Sequence, residues 1–510
     1  MKAFASSPHK VLALFSLVLF PFYGWFYANT GRAWSSPDER TVFVFASQWA
    51  DEGSFLLPRP ISDDVLLPRS VTVVGDHYAP VGFLGLFLIL GTAMKLLGKT
   101  AALFVVPALA AGTPIVLFSL WRRWFSERTS FVAALLWGVF PAWAYYASRG
   151  LLPNVAFVSL LIYSLAAALY AREVKIRRQA TMAWVLCGLL AGLALIIRPV
   201  EVLWVLPIAL TLWLWSAKPV RAGLAALSAV LPIAWLAFWQ SQTYGAWYKV
   251  GYSPFGLEST TQTGLFPFGI HPLLALQHVA DYSFWVYGWA LVFWLAGGFY
   301  LYKNHSKNAA YKKYSLVFAF VSIYLVLYYG SWNISDHPNQ DWISLGVAYN
   351  RYWLPIFALS MPLLAEGLRV VSARIRFVSM PIAAALVLGA SVATSFFLGD
   401  DSLWAMQQHG VEYKQVQAFI ETKTEPDSVI VAGREEKFLW PQRSVLYTSD
   451  NTFTFAQDVQ PLLSARAVYW LTPLPQSHVA DVEQRLFAPQ NQSLQLVGKH
   501  GEYTLYLIRS

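Results

Sequence analysis

The sequence predicts a polytopic α-helical membrane protein that carries a small α/β domain at its C-terminal end, and three observations predict it. Charged residues make up only 13% of the 510 residues and hydrophobic ones 56%, against about 25% charged in an average soluble protein. Apolar segments close to the roughly 20 residues that a bilayer crossing needs recur from residue 11 to residue 398. After residue 399 the long apolar runs stop and short alternating helix and strand periods take over.

The first apolar run, Val11 to Ala28, follows Lys2 and Lys10. It lacks a small-residue cleavage site, so it reads as a retained span rather than a signal peptide. Later apolar segments lie near 80–98, 101–121, 129–147, 150–171, 180–198, 200–217, 222–241, 282–302, 314–330, 351–368 and 377–398. Basic clusters separate several of them: Arg122, Arg123 and Arg128; Arg172, Lys175, Arg177 and Arg178; Lys218 and Arg221. Lys303, Lys307, Lys312 and Lys313 follow, then Arg369, Arg374 and Arg376. The positive-inside rule puts these clusters and the N-terminus in the cytoplasm. Outer loops 29–79, 242–281 and 331–350 then face outward, as does everything after residue 399. The domains are accordingly 1–398, in the membrane, and 399–510, extracytoplasmic.

Counting crossings from the two ends gives answers that differ by one between residues 76 and 128. One segment there is therefore re-entrant, partial or fused with its neighbour, and the total is odd, about eleven or thirteen. The net charge of +9 belongs to this topology and not to nucleic-acid binding. A single cysteine, Cys187, excludes an intrachain disulfide.

In the C-terminal part, helical periods cover Val411–Ile420, Phe455–Ser464 and Val479–Leu486. Extended ones cover Ser428–Ala432, Ser444–Tyr447, Ala467–Leu471, Leu494–Val497 and Tyr503–Ile508. Strands alternating with helices predict a mainly parallel sheet. No Gly-rich phosphate turn accompanies them, so no nucleotide site is expected.

The stretch with the most chemistry is Asp38-Glu39 in the first outer loop. Pro37 suits a helix start, and Val42, Phe45, Ala46 and Trp49 form one face of an amphipathic helix. Two carboxylates there can favour the helix dipole, take a proton from an acceptor, or bind a divalent ion. Asp76-His77-Tyr78 stands at the lip of the next span, as interfacial polar residues or as part of a substrate site. Arg198 lies at an outer membrane edge, with Glu201 near enough to pair with it. Arg149 sits in an outer turn. Arg351 opens a span from the outside beside Tyr352, where its fork suits a lipid phosphate or anchors in an aromatic belt. The loop 242–281 carries His271 and many aromatic residues, and can cover an outward cavity. Asp336, His337 and Asp341 in 331–350 lack a compelling metal-ligand spacing.

In their order along residues 10–400, these pieces resemble the GT-C superfamily of membrane glycosyltransferases, nearest the protein O-mannosyltransferase and aminoarabinose transferase (ArnT-like) branch. Four features carry the likeness: Asp38-Glu39 after one span; Tyr78-Ala-Pro80 with a span ending Lys95-Leu-Leu-Gly98; Ser148-Arg149 with Pro153-Asn154, followed by Gly188 to Pro199; and Arg351-Tyr352-Trp-Leu-Pro355. Asn154 stands where the family often has Asp, and Ala79-Pro80 where it has a double proline. The Trp-Trp-Asp motif of oligosaccharyltransferases is absent, so transfer of a whole glycan is not supported.

The resemblance implies a GT-C-like fold and a polyprenyl- or dolichyl-phosphate-linked sugar as donor, used at the outer face of a plasma (inner) membrane by an inverting single displacement. Asp38 would be the base, with Glu39 assisting it or helping to hold a metal. Arg351, then Arg198 and Arg149, would bind the donor phosphate. Asp76, His77, Tyr78, His271 and Tyr352 are candidates for the substrate loops. No nucleotide or soluble cofactor is required, and a divalent cation is left open. The acceptor can be a glycan, a lipid or a protein. A transporter or flippase would show inverted repeats or broken helices in matching halves, which the sequence lacks. A silent scaffold would be indifferent to loss of Asp38.

Overall fold

The computed structural model describes residues 8–30, 34–59, 66–214, 219–252, 266–304, 308–334, 343–375, 379–448 and 455–510. Among the described residues, eight helices are long and apolar enough to cross a membrane. Two bent pairs add broken spans: Glu127–Val139 with Pro141–Ser148, bent by 46°, and Pro272–Val286 with Gly288–Asn304, bent by 115°. The polytopic α-helical class is as expected.

Contacts between helix ends show which ends share a face. At one face His9 reaches Ser119, and Thr129 donates to Glu366 at 2.7 Å. At the other lies the helix Pro37–Glu52, whose start is set by Pro37 and by Ser36 capping the Asp38 N–H, and whose end is set by Gly53 at φ 70°. The apolar stripe foreseen for it is real: Val42, Phe45 and Ala46 are buried.

The segment 80–98 does not cross, contrary to the expectation that it spans. Its helix, Leu84–Leu97, lies on the same face as Pro37–Glu52. Gly91 packs against Trp49 and Ala46, and Gly85 packs against the backbone of Ile196 and Ile197 so closely that a Cβ would sit 2.1 Å from the Ile196 carbonyl oxygen. Just beyond its C-terminal end, Lys99 bridges back to Asp51 at 2.5 Å. The helix is apolar because protein buries it, not because lipid does. Removing it resolves the disagreement of one crossing. The described residues then hold eight spans, or ten with each bent pair counted as one, and the short apolar helix Val202–Leu214 after the turn Pro199–Glu201 would bring the crossings to the odd total of eleven.

Small residues allow the closest helix packing. The Cβ positions of Gly188 and Gly192 would collide with the backbone at Ala225 and Ala229, so the helices Arg177–Ile197 and Pro219–Tyr244 approach backbone to backbone.

Eight strands are described. In the first outer loop, β1 (Leu57–Pro58), β2 (Val71–Val74) and β3 (His77–Pro80) form an antiparallel sheet in the order β1-β3-β2. The C-terminal strands β4 (Val429–Ala432), β5 (Ser444–Tyr447), β6 (Val468–Thr472), β7 (Ser493–His500) and β8 (Tyr503–Arg509) form a second sheet in the order β5-β4-β6-β8-β7. Strands β5, β4 and β6 are parallel, and the two central ones are buried throughout, as strands covered on both faces must be. The last two strands correct the expectation of a mainly parallel sheet: β8 runs antiparallel to both β6 and β7. The turn at Gly501 is too short for a crossover, so the two strands close as a hairpin.

This C-terminal unit packs on the first outer loop. Arg40 donates from Nε to the Trp440 carbonyl at 2.5 Å and from Nη2 to Gln442, while Trp440 packs against Phe45 and Tyr78.

Candidate active site

The helix Pro37–Glu52 delivers two adjacent carboxylates into opposite environments, because successive helical residues point about 100° apart. Asp38 turns toward a cavity of about 460 Å³ between the membrane helices and the C-terminal domain. Glu39 turns into the protein.

Asp38 is nearly half exposed, at 45%. Its Oδ2 stands 3.6 Å from Nη1 of Arg351, which is 15% exposed. Ser70 donates its hydroxyl to the other oxygen, Oδ1, at 2.6 Å. One carboxylate oxygen is thus held, while the other faces a guanidinium too loosely to be sealed by it. Both Asp38 and Arg351 line the cavity.

Glu39 is fully buried and takes a two-pronged grip from Arg149, Nε to Oε1 at 3.1 Å and Nη2 to Oε2 at 2.8 Å. Ser35 donates a third bond, at 3.1 Å. Arg149 also donates to the Tyr145 hydroxyl at 2.6 Å. Desolvation alone would lower its pKa, but the Glu39 charge more than offsets that and raises it above the usual arginine value.

Arg198 and Glu201 pair with each other, which settles an alternative left open by the sequence. Nε reaches Oε1 at 2.8 Å, the Tyr329 hydroxyl bonds both partners, and Trp204 donates to the other glutamate oxygen at 2.5 Å. Tyr352 lies between this cluster and the cavity, with the Arg198 guanidinium 4.9 Å and the Arg351 guanidinium 5.3 Å from its ring. Tyr329 stacks on it at 4.3 Å.

Three further candidates lie elsewhere than the sequence suggested. Asp76 is exposed in the turn of the β2–β3 hairpin, and His77 is paired within that sheet. Tyr78 is buried, donating to the Leu66 carbonyl at 2.7 Å. None of the three lines the cavity: the segment is not the lip of a span but the end of a hairpin packed under the C-terminal domain. His271 is exposed at the start of helix Pro272–Asp281, its N–H bonded to Ser331 Oγ at 2.9 Å, and it does not line the cavity either. Asp336, His337 and Asp341 lie outside the described residues. Among the described residues no group of three His, Cys, Asp or Glu side chains is placed to hold a metal.

The structure adds residues that sequence reading missed. Ser70 is 32 positions from Asp38, with no motif to announce it. Tyr252 stands close enough to Asp38, Arg351 and Arg198 to feel their charges. Desolvation, then Asp38, pushes its hydroxyl above the ordinary tyrosine value, so it stays a neutral donor. From the C-terminal domain, His409, Tyr413, Arg434, Lys437 and Tyr503 complete the cavity wall. Lys437 lies over the Tyr413 ring and donates to its hydroxyl at 3.2 Å.

A family model described as dolichyl-phosphate-mannose-protein mannosyltransferase matches residues 80–240. No curated protein matches the chain by sequence. Among solved structures, ArnT from Cupriavidus metallidurans bound to undecaprenyl phosphate superposes with a TM-score of 0.58 at 11% identity, covering 98% of this chain and 97% of that one. The same protein in the apo state gives 0.58 at 12%, covering 98% of each chain. The archaeal oligosaccharyltransferase AglB from Archaeoglobus fulgidus, in complex with an inhibitory peptide and a dolichol-phosphate, gives 0.50 at 12%, covering 91% of this chain and 69% of that one. Shared architecture over nearly the whole length makes this a multi-pass membrane protein with an ArnT-like fold.

Proposed function

We propose that the protein is a glycosyltransferase that moves one sugar from a polyprenyl- or dolichyl-phosphate carrier to a hydroxyl or amine acceptor, with inversion, at the extracytoplasmic face of the membrane. The observation that carries this reading is the Asp38–Arg351 pair: a carboxylate and a guanidinium 3.6 Å apart on the wall of one cavity. The undecaprenyl phosphate and dolichol-phosphate bound to ArnT and AglB support a lipid phosphate as the donor's leaving group.

In this reading the acceptor oxygen or nitrogen attacks the anomeric carbon while the bond from that carbon to the phosphate oxygen breaks. The acceptor proton goes to Asp38 Oδ2, and the electron pair leaves with the lipid phosphate. Arg351 turns from Asp38 to the phosphate and meets its developing charge. Arg198 acts through Tyr352, which it holds against Arg351. Glu39 and Arg149 neutralise each other and fix the helix that carries Asp38. Both Glu39 oxygens are engaged by Arg149, so the two carboxylates do not fit a shared divalent cation. The orientation follows from the positive-inside rule applied to the basic clusters of the sequence.

The test is Asp38→Asn in the full-length protein, supplied with labelled sugars on polyprenyl phosphate. Loss of transfer with normal folding supports the reading, and undiminished transfer sinks it.

A further inference from the structure

The C-terminal domain touches both chain segments that set the position of Asp38. On the helix itself, Arg40 stands two residues beyond Asp38 and is fastened to the Trp440 carbonyl and to Gln442. Burial pushes the Arg40 guanidinium down to about 10, still cationic at neutral pH. On the second segment, Ser70 gives its hydroxyl to Asp38 Oδ1 at 2.6 Å, and its neighbour Arg69 is gripped by Glu436 with Nε to Oε1 at 2.5 Å and Nη2 to Oε2 at 2.9 Å.

Ser70 makes its bond from an unusual backbone position, φ 62°. A left-handed conformation costs a non-glycine residue about 1 kcal/mol or more and persists only where its surroundings impose it. Here they do. The Ser70 carbonyl accepts from Val81 N–H at 3.1 Å, strand β2 begins at the next residue, and the buried carboxylate of Glu436 anchors the preceding one. A residue held off its preferred backbone by contacts on both sides, with its hydroxyl on the candidate base, is built to aim that base.

We infer that Ser70 is a positioning residue for Asp38, and that the C-terminal domain, through Glu436 and Arg69, is the strut that holds it in place. The hydroxyl bond fixes Oδ1 and leaves Oδ2 to face Arg351 and the acceptor. The inference rests on the reading of Asp38 as base. It gives the C-terminal domain a part in the reaction through the position of one carboxylate.

The experiment compares full-length variants in proteoliposomes. Donors are undecaprenyl-phosphate-linked hexoses and pentoses carrying a radiolabel, and the acceptor is a cell-envelope fraction. Ser70→Gly keeps the backbone, since glycine adopts positive φ freely, and removes only the hydroxyl. It is expected to lower kcat about tenfold with the donor KM and the melting temperature unchanged. Ser70→Asn restores a donor at a residue that tolerates this conformation, and should recover most of the loss. Glu436→Gln should lower kcat by a smaller factor. Wild-type kcat in Ser70→Gly, or loss without recovery in Ser70→Asn, overturns the inference while leaving Asp38 in place. No transfer by the wild type, or undiminished transfer by Asp38→Asn, overturns the function reading and this inference together.

Discussion

Asp38 and Glu39 are neighbours in sequence, carry the same group and each face an arginine, yet they live in different chemical worlds. The Glu39–Arg149 pair is sealed: 0% and 7% exposed, two-pronged, with Ser35 and Tyr145 filling further valences. The Asp38–Arg351 pair is open: 45% and 15% exposed, 3.6 Å apart, with a cavity before it. In the sealed pair both carboxylate oxygens are already taken, although Arg149 shares the cavity wall with Arg351, and its worth is mainly structural. An open, loosely spaced pair contributes little to folding, and it faces the cavity where a ligand could compete for either partner.

The contrast can be broken experimentally, and the largest effect should fall on the open carboxylate. Asp38→Asn keeps the size of the side chain but removes the proposed base, and should lower transfer by about 10³-fold without shifting the melting temperature. Glu39→Gln should do the reverse in kind. It leaves Arg149 buried without its counter-charge, at a stability cost of about 3–5 kcal/mol, readable by denaturant unfolding in detergent. An apolar pair at 39 and 149 should regain much of that stability, and a stable Glu39→Gln would show that the seal is weaker than its geometry. Arg351→Gln should lower kcat/KM about 100-fold, with partial recovery in Arg351→Lys, whose ammonium supplies charge but not the fork. The smallest effect belongs to Tyr252→Phe, a few-fold loss in kcat/KM for about 1 kcal/mol of one neutral hydrogen bond.

Much of this was legible in the sequence for a physical reason. A bilayer forces long apolar helices, and strands of a covered sheet force short apolar runs, so the spans and β4 to β8 announce themselves in composition. Hydropathy records burial, however, and cannot tell lipid from protein. Leu84–Leu97 is apolar because it lies between the helix Pro37–Glu52 and the turn after Ile197, and it imitates a span. The carboxylates and the three arginines were visible as types at membrane edges. That Arg149 and Arg351 line the cavity while Arg198 does not was not legible, nor that Arg149 is held by a partner 110 residues away and Arg198 by one 3 residues away. Ser70, Glu436 and Trp440 carried no signal, since their parts arise only when segments more than 30 or more than 360 positions apart meet.

The bond from Arg40 to the Trp440 carbonyl joins residues 400 positions apart, and that distance has a consequence for biosynthesis. The helix bearing Asp38 is made 400 residues before its fastening. A chain stalled between the two therefore carries the Asp38 helix without the wall that shapes the cavity around it. The cavity around Asp38 is thus complete only after the segment around Trp440 has been made and has docked on that helix.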